Sequence, residues 1–190
     1  MSEIDRWIQE LMSGDDRRAE AAASELADYG REALDPLRAL LKSNDADARW
    51  WAVRALAELD APEALPWILQ ALDDPDLSVR QCAALGLRQN PYPQATPALA
   101  AALEDEDRMY ASLAADALIE IGSDAVPALL DTLKTGEHGA RLQAARALAQ
   151  IGDPRAISGL FDVLDETAML NYWAEQGLEK MGVGMNFFKP

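Results

Sequence analysis

Residues Arg141 to Ile157 read RLQAARALAQIGDPRAI, the cleanest copy of a unit that recurs along the chain. Take Arg141 as position zero. Small residues then fall at three and four (Ala144, Ala145), leucine at seven (Leu148), and Ile151–Gly152 at ten and eleven. These offsets mark one face of a helix that turns every 3.6 residues. The same frame starts at Ala19, Arg49, Arg80, Ala111 and Asn171, so the starts lie 30, 31, 31, 30 and 30 residues apart. A period near thirty is the signature of a repeat architecture.

Between these helices, here termed A, runs a second set, termed B. Leu65, Ile68, Leu69 and Leu72 match Val126, Leu129, Leu130 and Leu133, and again Ile157, Leu160, Phe161 and Leu164. Prolines recur near their starts, at Pro36, Pro66, Pro97 and Pro127. A first-turn proline loses no intrahelical hydrogen bond, and its fixed φ favours the helix. The spacing predicts A helices over 17–29, 46–59, 76–89, 107–121, 138–151 and 168–181. It predicts B helices over 31–42, 62–72, 93–104, 124–134 and 154–165. Residues 2–13 form an amphipathic helix that gives the first A helix a B-like partner. One hairpin of this size cannot bury both its apolar faces, whereas stacked neighbours can. The expectation is therefore an all-α fold, an α-solenoid of about six helical hairpins in a single domain over 1–190. Residues 1–14 cap it, and 183–190 form a C-terminal tail, with A helices outside and B helices inside.

The core D-x-x-V-R-x-x-A-A-x-x-L, as in Asp76, Val79, Arg80, Ala83, Ala84 and Leu87, and the I-G-D-P of Ile151–Pro154 resemble the HEAT family. More specifically, they resemble the short HEAT-like repeat named after phycobilisome lyases. The resemblance covers nearly the whole chain and implies a solenoid. For function it implies a bilin lyase, or a lyase-related protein holding an open-chain tetrapyrrole and its phycobiliprotein acceptor together. A HEAT partner of an iron–sulfur carrier is a further implication.

The formal charge of −16 argues against nucleic acid, whose phosphates it would repel, and against an anionic membrane surface. A basic or neutral protein is the partner to expect. No apolar run reaches the roughly 20 residues of a membrane span. The opening MSEIDRWIQELMSG carries no cleavable signal pattern, so a cytoplasmic location is expected. One histidine (His138) and one cysteine (Cys82) cannot build a nucleophilic triad or a protein-only metal site. No catalytic residue, metal or cofactor is expected, with a bilin as the alternative ligand. The main functional expectation is a non-enzymatic scaffold that binds a protein partner.

Two surfaces compete for that partner. The B helices turn outward a row of small or acidic residues, Ala39, Gln70, Ala101, Asp131 and Asp162, beside Glu32, Glu63, Gln94 and Asp124. Trp67 is the one large apolar group near them. At position two the A helices place Ala21, Trp51, Cys82, Leu113, Gln143 and Trp173, a largely apolar row directed away from the buried face. The preferred site is the concave groove of Trp67, Glu63, Gln70, Asp131 and Asp162; the rival is the row of Trp51, Leu113 and Trp173. Acids four residues ahead of Arg49, Arg80 and Arg141 predict helix caps and an arginine ladder between repeats. The tail, with Phe187 and Phe188, is expected to strap the last repeat or to hook a partner.

Overall fold

In a computed structural model that describes residues 2–183, the repeats are all helical, with no strand among the described residues. The chain clusters into two compact units, Met1–Asn90 and Pro91–Pro190. In the first, α1 (Glu3–Leu11) precedes the A helices α2 (Asp16–Asp28), α4 (Ala46–Glu58) and α6 (Leu77–Gln89), interleaved with the B helices α3 (Leu34–Leu40) and α5 (Leu65–Gln70). In the second, the B helices α7 (Thr96–Ala102), α9 (Val126–Thr135) and α11 (Ile157–Asp162) alternate with the A helices α8 (Arg108–Ile121), α10 (His138–Ile151) and α12 (Ala168–Lys180). This is the expected α-solenoid class of HEAT-like hairpins. The A-helix bounds agree with the sequence reading to about one residue.

The B helices differ from expectation in one respect. All five open with a separate 3₁₀ turn, as at Pro62–Ala64, Pro93–Ala95 and Pro154–Ala156. A proline leads each of these three turns, where its missing N–H leaves no bond unmade.

Within each unit the layers pack pairwise. In the first, α2 lies on α4 and α4 on α6, while α1 covers α2 and α3. In the second, α8 lies on α10 and α10 on α12, with α9 against α10 and α11 against α12. The A helices bury mainly alanine. Ala22, Ala23, Ala52, Ala83, Ala84, Ala114, Ala115, Ala144, Ala145 and Ala174 are all fully buried. A methyl group lets two helix backbones approach where a leucine would hold them apart. The larger side chains fill the space between layers, among them Leu26, Leu56, Ile68 and Leu87 in the first unit and Leu99, Leu118, Leu129 and Leu148 in the second.

Position six of the frame is also small and buried in five of the six repeats, a regularity beyond the sequence reading. It holds Ala55, Gly86, Ala117, Ala147 and Gly177, with exposed Glu25 as the exception in the first repeat. A Cβ added at Gly86 would come within 3.0 Å of the Ala57 Cβ, and one at Gly177 within 3.0 Å of the Ala149 Cα and 2.7 Å of a Leu160 methyl. At those two places even a methyl group is too much.

The caps follow the sequence. Asp15, Asp45, Asp76 and Asp107 each accept a backbone N–H in the first turn of an A helix. Glu137 does not cap α10; instead its amide donates to the Glu104 carboxylate of the preceding repeat. Gly152 ends α10 with φ of 72°, a left-handed conformation that glycine adopts without strain. Asn90 closes α6 by donating its side-chain amide to the carbonyls of Ala57 (2.8 Å) and Gly86 (3.2 Å).

The arginine ladder is present in both units. Arg49 grips Asp74, 25 residues on, through Nε to Oδ2 (2.7 Å) and Nη2 to Oδ1 (2.8 Å), and its Nη1 donates to the Ser43 carbonyl. Arg141 repeats this with Glu166, also 25 residues on, and donates Nε to the Leu133 carbonyl. The Arg49–Asp74 pair is nearly closed off, its side chains 12% and 10% exposed. The guanidinium holds the Asp74 carboxyl below the usual carboxylate range, helped by the Asp76 amide. A depressed folded-state pKa contributes stability above the unfolded value that is lost as pH falls toward the folded one. Asp74→Asn should therefore cost about 1–3 kcal/mol near neutral pH. The gap from the parent protein should shrink progressively below about pH 4. Urea unfolding at several pH values checks this; a gap that stays constant into acid would remove the ion pair from the account.

Candidate partner-binding surfaces

The B-helix residues singled out from the sequence divide between the two units. In the first, Trp67 sits half-buried on α5 with Gln70 exposed three residues on and Glu63 exposed four residues before. Glu63 pairs with Arg31 (2.7 Å). The Arg38 guanidinium of α3 lies over the Trp67 ring, 4.9 Å from its centroid. That cation–π contact occupies one face of the indole, so a partner meets Trp67 with its arginine cover in place. In the second unit Asp131 is exposed on α9, and Asp162 is exposed at the end of α11. Asp162 borders a cleft of about 330 Å³ with Leu130, Lys134, Arg141 and Glu166. Gly159 lets α11 approach α9 there, since a Cβ would fall 2.5 Å from a Leu130 methyl. Every residue of the small and acidic B-helix rows is exposed: Ala39, Gln70, Glu32 and Glu63 in one unit, Ala101, Asp131, Asp162, Gln94 and Asp124 in the other.

The A-helix row departs from expectation. Position two was to face outward, yet Cys82 is only 5% exposed, and Trp51, Leu113 and Trp173 are half-buried. The position lies beside the seam between consecutive A helices. Cys82 donates its thiol to the Trp50 carbonyl of the preceding A helix (3.8 Å). Burial pushes that thiol up to about 12, far from a reactive thiolate. Trp173 packs edge-to-face on the exposed Tyr172, with centroids 5.0 Å apart. Two methionines that the sequence reading passed over, Met109 and Met169, are 62% and 52% exposed. They share one place in the frame, two residues ahead of position zero, a periodicity that is visible once the frame is drawn.

A cleft of about 800 Å³ lies at the heads of the A helices of the first unit, walled by Trp50 and Trp51 of α4, Leu11 and Met12 at the end of α1, and Glu20 and Ala21 of α2. The two indoles meet edge-to-face, centroids 4.6 Å apart and planes at 85°. Asp16, Asp45 and Asp47 stand on its rim, with Arg17 the one base of the lining. The volume lies within the range of small-ligand sites. The sequence flagged Trp51 and the acids separately. The missed signal is Ala21, the small residue at position two of the first repeat, which leaves room where later repeats place Trp51 or Cys82.

Among the described residues no group of three His, Cys, Asp or Glu is arranged to hold a metal ion. Nor is any helix of them long and apolar enough to cross a membrane.

The model of HEAT repeats matches residues 4–88, 34–118, 65–138 and 96–179. Among curated proteins, the chain is similar to the bilin biosynthesis protein RpcF of a Synechococcus species, 40% identical over 75 residues, 38% of this chain and 36% of that protein. It is 44% identical over 52 residues to the phycocyanobilin lyase subunit beta of a Nostoc species, 27% of this chain and 26% of that protein. With the phycocyanin alpha phycocyanobilin lyase CpcF of a Synechocystis species it shares 42% over 62 residues, 33% of this chain and 27% of that protein. The matches thus span about a third or less of each relative's length. Among solved structures, the complex of CpcE and CpcF of phycocyanin lyase from Nostoc superposes with a TM-score of 0.62 at 22% identity, covering 76% of this chain and 96% of that one. An engineered protein covers 97% of this chain and 98% of its own, with a TM-score of 0.54 at 24% identity. At these identities the structural matches speak to the fold. Buried Cys82 should resist a thiol reagent such as dithionitrobenzoate in the folded protein at pH 8 and react once in denaturant. Fast labelling without denaturant would contradict its burial.

Proposed function

Because the chain belongs to the HEAT-repeat family, and its curated relatives carry the names of a bilin biosynthesis protein and of phycocyanobilin lyases, we propose that it is a lyase-related protein that handles a phycobilin for a phycobiliprotein acceptor. The carrying observation is the stretch of 40% identity over 75 residues with a bilin biosynthesis protein. It favours this reading over the plain scaffold that composition alone supports. A protein in this role must bind two things: an open-chain tetrapyrrole, flat and rich in N–H donors, and a folded acceptor. The exposed small residues of the B helices leave room for a flat surface, and the acids beside them can accept N–H donors. Buried Cys82 is not available as a nucleophile. In this reading the chain holds chromophore and acceptor in register rather than forming a covalent bond to either itself. Such positioning can accelerate a bimolecular attachment substantially.

A non-enzymatic protein-binding role is the second reading, supported by the run of exposed acids at Asp124, Asp131 and Asp162. The two readings share an acceptor surface and differ in whether a bilin is bound. In both, Trp67 with Glu63 and Gln70 is the preferred anchor in the first unit, and Asp131 and Asp162 are the preferred contacts in the second.

The test is co-expression of this chain with a bilin-producing pathway and a phycobiliprotein subunit, followed by affinity purification. The expected result is a coloured complex, absorbing in the visible and containing the phycobiliprotein. Trp67→Ala should weaken acceptor binding by roughly tenfold with the melting temperature unchanged. Acceptor without colour would support the scaffold reading; recovery of neither would refute both.

A further inference from the structure

The Trp50–Trp51 cleft lies apart from the B-helix rows and is not used by the function proposed above. We propose that it docks a basic segment of a partner protein, an arginine flanked by an apolar side chain. The inference stands on this cleft alone and does not depend on the bilin reading.

Three features of the cleft converge on that occupant. First, the two indoles stand nearly perpendicular at 4.6 Å between centroids, and both belong to the lining. An indole face is the best aromatic partner for a guanidinium. Second, four carboxylates, Asp16, Glu20, Asp45 and Asp47, line the cleft against one base, Arg17. Two of the four are already engaged: Glu20 pairs with Arg54 (2.6 Å), and Asp45 accepts the Asp47 amide (3.0 Å). Asp16 and Asp47 are exposed and have no ion-pair partner among the described residues, so they can meet an incoming cation. Third, Leu11 is buried and Met12 is 45% exposed, giving one wall an apolar patch beside the charged rim. Methionine adapts its shape to an apolar neighbour.

Other occupants fit less well. An anionic ligand would face four carboxylates. A second copy of this chain would bring its own charge of −16. An arginine satisfies indole and carboxylate together, because its planar fork stacks on one while donating to the other. The volume of about 800 Å³ exceeds one side chain and suits a short segment.

The experiment uses the full chain and a fluorescein-labelled peptide in which arginine alternates with leucine and glycine, read by anisotropy. A counterpart with citrulline in place of arginine keeps the shape and removes the charge. Binding should occur to the arginine peptide, weaken as salt rises, and fall at least tenfold for citrulline. Trp51→Ala, which leaves the net charge unchanged, should weaken binding about tenfold. Asp47→Asn should weaken it two- to fivefold. Asp35→Asn removes an equal charge on an exposed site away from the cleft and should bind as the parent does. Circular dichroism confirms folding of each variant, and exposed Asp16→Asn replaces Trp51→Ala if the latter unfolds. The proposal is overturned if the cleft variants bind as the parent does, or if Asp35→Asn weakens binding as much as Asp47→Asn. It is equally overturned if biliverdin, rather than the arginine peptide, quenches tryptophan emission in a manner lost with Trp51→Ala.

Discussion

The constraint on which both units depend is the close approach of consecutive A helices. Each A helix must present small side chains on the flank that meets its neighbour, and larger ones toward the B layer. Position three is alanine in all six repeats, position four in four of them, and position six is alanine or glycine in five; position seven, which meets the second demand, is leucine throughout. Alanine suits this task twice over, being the best helix former and nearly the smallest side chain. Burial of many small groups stabilises each contact modestly, but the contact recurs at every repeat, so the energy accumulates along the chain.

With the seam made of small apolar groups, register must come from elsewhere. The polar devices beside it supply that. Arg49–Asp74 and Arg141–Glu166 tie an A-helix head to the loop that enters the next repeat. Arg54 reaches back to Glu20, and Arg146 to Asp116 (2.8 Å), across neighbouring A helices. Such pairs are directional where methyl contacts are not, so they resist sliding of one helix along another. The same acids that cap the helices leave charge at the heads of the repeats. This is why the Trp50–Trp51 cleft, formed where Ala21 leaves a gap, is bordered by carboxylates.

Helix positions were legible in the sequence because the apolar spacing repeats and most starts carry a cap or a proline, α10 being the exception. Asp45 and Asp76 could be assigned as caps by sight, and Arg49 as one rung of a ladder. What escaped was set by neighbours rather than by the helix itself. Cys82 looked outward on a single helical wheel, but the adjacent A helix covers it. Trp67 looked bare, but Arg38 from another repeat lies over its ring. The B-helix rows fared better because exposed Gln70, Asp131 and Asp162 occupy the side of a short helix that its neighbours leave open. The tail residues Phe187 and Phe188 lie outside the described residues.

If small residues at the A-helix seam are the organising constraint, Gly177 is where it can be measured most directly. Alanine there would ordinarily stabilise an exposed helix interior by roughly 1 kcal/mol over glycine. In this seam the new methyl would meet the Ala149 backbone at 3.0 Å and Leu160 at 2.7 Å, an overpacking that costs about 1–3 kcal/mol. Equilibrium urea unfolding of Gly177→Ala should therefore show a lower midpoint with little change in slope. A higher midpoint, in keeping with helix propensity alone, would contradict the account.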